Sequence, residues 1–493
     1  MRHPPRPLPL AVAGAVALLG SVVVPAVTAQ GATPACTVAY SVANQWGTGF
    51  QGAVQITNNR AALTGWSLTF DFAGGQEVTQ GWNAKWSQSG TAVTAVNESY
   101  NGALGTGASV SAGFLASGAG NTAVPTTFKL NGTTCNVDSE PTTPPTDPPP
   151  TGGGGGKAPA LHVAGDRIVD ADGKDRRLLG VNRSGGEFMC VQGYGFFDGP
   201  VDDAAIQAIA DWKANTVRIP VNEECWLGLS NIEPEYAGAN YVGAVKDLVT
   251  RIEAHGMTPV IDLHWTWGQY TGNSAGCSDV HATCQKPMPD AQYTPAFWSS
   301  VADTFKGDQA VAFDLFNEPY PDRATSSTAD AWKCWRDGGT CPGIGYEVAG
   351  MQDLVDTVRA TGARNLILAG GLAYSNDLSQ WLTYRPTDPA GNLVAAYHVY
   401  NFNTCASESC WNSTLAPVAA QVPLVAGEIG ENTCSHGFTD QVMKWFDDHD
   451  LSYLGWTWNT WDCSSGPSLI SAYDGTPTAY GAGLRDHLRA LNP

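Results

Sequence analysis

The sequence has little positive charge. Lysine and arginine number 26 against 46 aspartates and glutamates, which gives a formal net charge of −20 at pH 7. Nucleic acids and anionic membrane surfaces repel such a protein, so we expect neither as a partner. Only 15% of residues are charged, whereas tryptophan, tyrosine and glycine are plentiful. This composition is typical of a stable exported protein that handles uncharged ligands.

Motifs for metals and nucleotides are also missing. The chain has 9 histidines and 12 cysteines, but no H-E-x-x-H and no closely spaced C-x-x-C pair, so we expect no metal. No glycine-rich phosphate loop follows a predicted strand, which argues against a nucleotide. We expect no cofactor.

Long hydrophobic runs are absent beyond the N-terminus. Arg2 and Arg6 precede an apolar stretch over residues 8–27, and Val27-Thr28-Ala29 matches a small-residue cleavage site. Residues 1–29 are therefore predicted to be a signal peptide, and Pro25 favours cleavage over a permanent anchor. We expect a secreted, extracellular protein whose even number of cysteines can form disulfides.

Residues 33–137 alternate apolar and polar positions in short runs, for example over 53–57 and 67–72, between turns rich in Gly, Asn and Ser. This pattern predicts an antiparallel β-sandwich. Cys36 and Cys135 bracket the segment, so we expect a disulfide between its first and last strands. Few acidic residues occur here, and none forms a catalytic pair.

The aromatic residues of this segment differ in context. Trp66 precedes an alternating strand and is assigned to the core, whereas Trp46, Trp82 and Tyr100 lie among Gly and Asn, where a buried ring would pack poorly. The segment resembles carbohydrate-binding module family 2, through residues 44–46, 65–70, 78–82 and 88–90 and the terminal cysteines. The resemblance implies that Trp46, Trp82 and Tyr100 form a surface that binds insoluble cellulose or chitin. Tyrosine in place of the usual third tryptophan implies somewhat weaker binding.

Residues 138–157 contain prolines and threonines followed by five glycines, and cannot form a core. We interpret them as a linker, extended in its proline part and flexible in its glycine part.

Residues 158–493 alternate buried-strand runs with helical patterns. The predicted helices cover residues 202–214, 241–255, 346–361 and 439–449, and the predicted strands cover residues 178–182, 216–220, 259–265, 311–318, 366–371, 394–400, 423–428 and 454–459. Eight strands that alternate with helices predict a (β/α)8 TIM barrel. A doubly wound open sheet is the alternative.

Two of these strands end in a glutamate. Glu318 lies in Phe316-Asn317-Glu318-Pro319, and Glu428 follows a second buried run 110 residues later. In a closed barrel both carboxylates would lie at the same mouth, and paired carboxylates there are the machinery of glycoside hydrolysis. The alternative is that each glutamate caps the next helix.

Further polar and aromatic residues collect at the predicted strand ends. They resemble those of glycoside hydrolase family 5, through the motifs Val-Arg-Ile-Pro (217–220), Asp-Leu-His-Trp (262–265), Phe-Asn-Glu-Pro (316–319), His-Val-Tyr (398–400), Gly-Glu-Ile-Gly (427–430) and Trp-Thr-Trp-Asn (456–459). The resemblance implies a retaining hydrolase in which Glu318 is the acid/base and Glu428 the nucleophile. Arg218 and Tyr400 would keep the nucleophile ionised.

The remaining site residues would bind the substrate. Asn317 would bond the sugar 2-hydroxyl, and His264 and His398 would orient the carboxylates and sugar hydroxyls. Trp458 would form the sugar-stacking floor, with Trp456 as the alternative.

The most direct interpretation is an endo-β-1,4-glucanase that acts as a monomer on cell-wall polysaccharide. The loops at 187–190, 222–226 and 265–267 are unlike those of the commonest cellulases. A hemicellulase acting on xylan, arabinoxylan or mannan, or an exo-acting glycosidase, is therefore the alternative. A glycan-binding protein without activity would be expected to lack a catalytic carboxylate, and both are present.

Ten cysteines fall after the predicted barrel strands, so we expect their disulfides to tie the loops at one face. Three pairs are close in sequence, and the other two join loops of neighbouring strands, which predicts Cys277–Cys284, Cys334–Cys341, Cys405–Cys410, Cys190–Cys225 and Cys434–Cys463. Free buried thiols are the alternative.

The binding module gives the first testable prediction. Replacing Trp46 or Trp82 with alanine should weaken adsorption to insoluble cellulose, because the flat ring that stacks on the sugar is lost. Hydrolysis of a soluble substrate should remain nearly unchanged. Depletion assays and reducing-sugar assays measure the two effects, and an equal loss of both would show that the domains do not act independently.

Overall fold

The computed structural model describes residues 34–46, 49–82, 84–97, 101–118, 124–138, 157–464 and 466–491. The chain divides between Thr151 and Gly152 into two compact units. The predicted signal peptide and residues 139–156 of the predicted linker lie outside the described residues. Within the described ranges, no helix is both long enough and apolar enough to cross a membrane.

The N-terminal unit is built from nine strands, β1 Cys36–Trp46, β2 Gly49–Asn58, β3 Ser67–Asp71, β4 Glu77–Trp82, β5 Ala84–Ser89, β6 Ala92–Asn97, β7 Ser109–Ser117, β8 Phe128–Leu130 and β9 Thr133–Asp138. They are hydrogen-bonded in the order β4-β7-β2-β1-β9-β8-β3-β6-β5. Neighbours are antiparallel, as predicted, except that β1 and β9 run parallel. The alternating pattern could not reveal this pair, because it reports faces and not directions.

The core of this unit is aromatic, with Phe70, Phe114 and Phe128 buried. Trp66 is 1% exposed, which confirms its predicted place in the core. Its indole Nε1 donates to the carbonyl of Asn101 at 2.8 Å, so the buried N–H is satisfied.

The second unit is a closed barrel of eight parallel strands, as predicted. In chain order these barrel strands are Leu179–Asn182, Thr216–Asn222, Thr258–Trp265, Ala312–Asp314, Ile367–Gly370, Leu393–Tyr400, Leu424–Gly430 and Ser452–Gly455. The alternative of an open sheet is wrong.

The helices surround the barrel. They are Asp203–Ala210, Glu223–Leu227, Ala239–Ala254, Thr294–Phe305, Thr328–Asp337, Met351–Ala360, Trp381–Tyr384, Glu408–Thr414, Ala416–Ala419, Gly437–Asp448 and Ala479–Leu491, with 3-10 turns at Pro234–Tyr236 and Pro321–Arg323. The helix predicted from residue 346 begins only at Met351, because residues 347 and 348 pair with Gly339–Thr340. A further short segment, Leu372–Ser375, has non-helical backbone angles at Ala373 and Tyr374.

The fourth and eighth barrel strands end earlier than predicted. After Asp314 the chain stays attached to both neighbours, since the N–H of Leu315 donates to Leu368 and that of Asn317 to Leu263. The eighth strand ends at Gly455, and beyond it the backbone turns toward the first strand, where the N–H of Trp458 donates to Asn182 at 2.7 Å.

A short hairpin, Leu161–Ala164 with Arg167–Asp170, lies at the N-terminal end of the barrel. Its Leu161 and Ile168 join Val260, Leu368 and Val394 in one buried cluster. A second two-stranded hairpin pairs Ile470–Ala472 with Thr476–Pro477. The first hairpin covers the N-terminal end of the barrel. The polar residues that end the barrel strands lie at the opposite, C-terminal end.

The structure contains all six predicted disulfides. Cys36–Cys135 spans the N-terminal unit, and the others are Cys190–Cys225, Cys277–Cys284, Cys334–Cys341, Cys405–Cys410 and Cys434–Cys463. The barrel disulfides lie in segments that follow the strands, so they restrain the loops on the side of the polar residues. The alternative of free thiols is wrong.

Candidate active site

Arg218 lies in the second barrel strand, of which every residue is buried. Its guanidinium contacts three carboxyls. Nε donates to Asp314 Oδ2 at 2.9 Å, Nη1 donates to Glu428 Oε1 at 3.0 Å, and Nη2 lies 3.0 Å from Asp262 Oδ1. One cation therefore links the second strand to the third, fourth and seventh.

Two amides complete the surroundings of Arg218. It donates to Asn182 Oδ1 and to Asn317 Oδ1, at 3.0 Å in each case. Because these oxygens accept from Arg218, the side-chain N–H groups must point elsewhere. That of Asn182 donates to the carbonyl of Gly427 at 2.9 Å, and that of Asn317 faces Gln285 Oε1 at 3.3 Å.

The charges in this cluster are unequal. Burial alone would lower the pKa of Arg218, but Asp262, Asp314 and Glu428 more than offset it, so its pKa is raised. Burial also raises the pKa of Asp262 and of Asp314 to about 7, against the opposing effect of Arg218. Both carboxyls are therefore more easily protonated than an exposed aspartate, although Arg218 favours their ionised forms.

A bulge places Glu428. Along the seventh strand the register with the sixth shifts, so that Tyr397 faces Ala426 while His398 faces Glu428. Such an extra residue re-aims the next side chain. It is Gly427, where a Cβ atom would lie 2.9 Å from His398 Nε2, so only glycine fits.

Glu428 accepts two hydrogen bonds from opposite sides. Arg218 holds Oε1, and the hydroxyl of Tyr400 donates to Oε2 at 2.5 Å. Burial, reinforced by Glu428, raises the pKa of Tyr400 well above its usual value, so the phenol keeps its proton. The predicted partners of Glu428 are thus both in contact with it.

Glu318 has a different environment. Its Oε2 accepts from Gln285 Nε2 at 3.1 Å, and its Oε1 lies 3.1 Å from His398 Nδ1. Burial raises the pKa of Glu318, while His264, Gln285 and Arg218 act to lower it. The side chain is 18% exposed, so it faces the open mouth of the barrel. Neither glutamate caps a helix, and that alternative is wrong.

The two carboxyls are close together. One carboxyl oxygen of Glu318, one of Glu428 and a ring nitrogen of His398 all lie within 4.8 Å of one another. Burial lowers the pKa of His398 to about 3, so the imidazole is neutral over the working pH range. The neutral ring of His398 therefore lies beside both carboxyls without adding a positive charge to either.

His264 lies on the third strand. Its Nδ1 is 2.6 Å from Asp262 Oδ2, and its ring stacks on Trp456 with centroids 5.6 Å apart and an interplanar angle of 12°. Burial lowers the pKa of His264. Asp262 and Trp456 therefore fix the ring at the mouth.

The prediction for Trp458 is wrong. This side chain is 0% exposed and packs edge-on to Trp212, with centroids 4.7 Å apart, so it offers no face to a sugar. The two-residue alternation that placed Trp456 and Trp458 on one side does not apply, because the strand ends at Gly455. Trp456, the alternative, is partly exposed, so its role as the platform stays a prediction.

The side chains of the three predicted cellulose-binding residues lie outside the described part of the structure. Trp46 and Trp82 end β1 and β4, of which the backbone alone is described at these positions, and Tyr100 lies outside the described residues. The assignment of these three rings to a binding surface stays a prediction.

Further aromatic side chains lie at or beyond the ends of the barrel strands. Phe188, after the first strand, lies with its centroid 5.6 Å from that of Trp461 and 6.5 Å from that of Trp265. Phe402, after the sixth strand, is 64% exposed and stacks on Tyr400 at 5.3 Å. Aromatic side chains thus occur in the segments that follow the first, sixth and eighth barrel strands, and Trp265 ends the third.

Four site residues were not predicted. Asp262 precedes His264 by two residues, and Asp314 precedes Glu318 by four, so the two-residue period of a strand could have found both. Asn182 is the last residue of the first strand, and polar residues at strand ends were the signal used for the other site residues. Gln285 lies in the long loop after the third strand, where the sequence gives no signal of its position.

Known proteins resemble the chain in both units. Residues 169–462 match the family model described as cellulase (glycosyl hydrolase family 5), and residues 36–135 match that of a cellulose binding domain. Endoglucanase CelA of Streptomyces lividans is 29% identical over 475 residues, which cover 94% of this chain and 92% of that relative.

Two further similarities concern one unit each. Exoglucanase A of Cellulomonas fimi is 52% identical over 118 residues, which cover 24% of this chain and 13% of that protein. Among solved structures, the β-glucanase SdGluc5_26A from Saccharophagus degradans has a TM-score of 0.52 at 19% identity, over 69% of this chain and 95% of its own. The latter similarity shows a shared fold.

The contact between Gln285 and Glu318 predicts a pH effect. The amide donates to the ionised form of the carboxyl and so lowers its pKa. Gln285→Met removes this bond, so the pKa of Glu318 should rise and the alkaline limb of kcat/KM should move to higher pH. Gln441→Met, at an exposed glutamine, is the control. A shift to lower pH would contradict this role.

The two tryptophans give a second test. Trp456→Ala should lower kcat/KM by about tenfold, because a stacking face is lost, and should alter thermal unfolding little. Trp458→Ala should instead lower the free energy of unfolding by about 3–5 kcal/mol, because it leaves a cavity. Kinetics and denaturation of both variants decide between the two residues. The reverse pattern would restore Trp458 as the platform.

Proposed function

The chain belongs to glycosyl hydrolase family 5, and on that premise we propose that it is a secreted endo-β-1,4-glucanase that cleaves cellulose by double displacement. It is a glycoside hydrolase, and its substrate and site roles are inferred as follows. The observation that carries the proposal is the pair Glu318 and Glu428, whose carboxyl oxygens approach within 4.8 Å in unlike environments.

The first step is formation of a glycosyl-enzyme. Glu428, held by Arg218 and Tyr400, attacks the anomeric carbon. Glu318 donates its proton to the glycosidic oxygen as the bond to the leaving sugar breaks. Burial raises the pKa of Glu318, which favours the protonated form that a general acid needs.

The second step reverses the role of Glu318. With the leaving sugar gone, a water molecule takes its place, and the ionised Glu318 removes a proton from it as it attacks the anomeric carbon. Glu428 then departs as a carboxylate, stabilised by the same two donors. Retaining enzymes have their carboxyls about 5–5.5 Å apart, and inverting enzymes leave room for water at about 6.5–9.5 Å. The separation here supports retention.

Asn317 supports the transition state. Its Oδ1 accepts from Arg218, which fixes the amide, so its N–H groups point toward Gln285 and the mouth. We assign to it the bond to the sugar 2-hydroxyl, which strengthens as positive charge develops on the ring. Trp456 would support the same sugar, and His264 and His398 would orient its hydroxyls and the carboxyls.

Three observations support cellulose and internal cleavage. The relative from Streptomyces lividans that matches most of the chain is an endoglucanase. The N-terminal unit matches a cellulose binding domain. Aromatic rings in several loops after the barrel strands, among them Phe188 and the exposed Phe402, suit a polysaccharide that binds with several sugar units. The predicted signal peptide and the six disulfides support secretion.

A substrate panel tests the proposal. Reducing sugar should appear from carboxymethyl-cellulose at a rate far above that from xylans and mannans. The viscosity of the solution should fall early, because internal cuts shorten chains faster than cuts at ends. Release of reducing sugar from xylan or mannan alone would show that the enzyme is a hemicellulase. A constant viscosity during hydrolysis would indicate exo action.

Azide distinguishes the two glutamates. Glu428→Gly should lose turnover, and azide should restore it with an activated glycoside by forming a glycosyl azide of inverted configuration. Glu318→Ala should give the azide of retained configuration, because the glycosyl-enzyme still forms. Proton NMR of the products reads both configurations. Two products of the same configuration would contradict the assigned roles.

A further inference from the structure

The loop after the fifth barrel strand has an unusual backbone. Ala373, Tyr374 and Ser375 have φ angles of 52°, 63° and 59°, which are left-handed values. Residues with a Cβ atom rarely adopt them, and three in succession are rarer still. Such conformations persist where the surroundings enforce them, and they cluster at functional sites.

We call residues 372–377 the left-handed turn. Leu372 and Asp377 close it by exchanging two backbone hydrogen bonds of 3.0 and 2.9 Å. It folds tightly over two glycines, since a Cβ atom on Gly370 would lie 2.2 Å from Ser375 Oγ and one on Gly371 would lie 2.1 Å from the carbonyl of Asp377. The turn is therefore closed and firmly seated.

The turn binds the backbone on both sides of Glu318. The hydroxyl of Ser375, which is fully buried, donates to the carbonyl of Asn317 at 3.0 Å. The N–H of Tyr374 donates to the carbonyl of Pro319 at 2.9 Å. Two consecutive residues thus hold the carbonyls of the two residues that flank the acid/base, Asn317 and Pro319.

A side-chain path leads to the same carboxyl. The ring of Tyr374 stacks on Tyr320, with centroids 4.6 Å apart and an interplanar angle of 22°. Tyr320 is buried, and its hydroxyl donates to the carbonyl of Gln285 at 3.1 Å. Gln285 in turn donates to Glu318 Oε2. Backbone and ring therefore converge on one side chain.

The turn also reaches the residue between the two glutamates. Asn376 Nδ2 donates to the carbonyl of His398 at 2.8 Å, and its Oδ1 accepts from the N–H of Cys405. The fifth strand places no side chain in the proposed chemistry, yet its loop joins the Glu318 segment to the sixth strand.

We propose that Ser375 and Tyr374 are positioning residues that hold the carboxyl of Glu318 in line with the glycosidic oxygen for proton donation. The inference rests on the proposed role of Glu318 as acid/base. Without these bonds the segment of residues 317–319 would shift, and proton transfer depends steeply on the distance and angle between donor and acceptor.

Leaving groups of different quality separate positioning from stability. Aryl β-cellobiosides with a 2,4-dinitrophenyl group need little proton donation, whereas a plain phenyl group needs it fully. Ser375→Ala should lower kcat/KM by about tenfold for the phenyl glycoside and by less than about twofold for the dinitrophenyl glycoside. Ser379→Ala, at an exposed serine of the same loop, is the control and should match the wild type on both.

A second variant removes any effect of stability. Ser375→Gly also lacks the hydroxyl, but glycine favours a left-handed φ, so its melting temperature should exceed that of Ser375→Ala. Its loss on the phenyl glycoside should nevertheless persist. An equal loss on both glycosides, no loss at all, or full recovery of the rate in Ser375→Gly would overturn the proposal. If Ser375→Ala does not fold, Ser375→Gly carries the test.

Glu318→Ala measured on the same glycosides keeps the two levels apart. A leaving-group-dependent loss in Glu318→Ala without one in the Ser375 variants would overturn only the positioning role. An equal loss on both glycosides in Glu318→Ala would overturn the role of Glu318 as acid and the inference with it.

Discussion

The buried guanidinium of Arg218 holds the acidic residues of the candidate active site together. Arg218 faces Asp262, Asp314 and Glu428 inside the barrel, and removing a buried cation would leave three acids uncompensated, which is strongly unfavourable. The guanidinium is planar with donors in fixed directions, so it sets the positions of its partners as well as their charge. Gly427 is part of the same constraint, because a Cβ atom at this position would lie only 2.9 Å from His398 Nε2.

The different roles that we propose for Glu318 and Glu428 follow from this arrangement. Glu428 accepts hydrogen bonds from the guanidinium of Arg218 and from the neutral phenol of Tyr400. Glu318 receives one amide and a neutral histidine, and burial raises its pKa. These unlike surroundings suit the two roles that we propose, nucleophile for Glu428 and acid/base for Glu318. Arg218 fixes the position of Glu428, and we propose that the left-handed turn does the same for Glu318.

Much of this could be predicted from the sequence, because buried strands are strongly marked. The buried runs that lead to Glu318 and to Glu428 end at points that can be identified in the sequence. The disulfides could be predicted as well, because the loops of neighbouring strands meet at one face of a barrel. The position of Trp458 did not follow, because bonds to Asn182 turn the chain away from the strand direction. Gln285 and Ser375 act through folded loops, in which spacing along the chain says nothing about contact in space.

Covalent trapping tests the central claim, that Glu428 held by Arg218 is the nucleophile. A 2-deoxy-2-fluoro-β-cellobioside with a good leaving group slows breakdown of the glycosyl-enzyme more than its formation, so the intermediate accumulates. Mass spectrometry of the intact protein should show one added fluorocellobiosyl group, and peptide mapping should place it on Glu428. A label on Glu318, or turnover of the inhibitor with no label on the protein, would contradict the account.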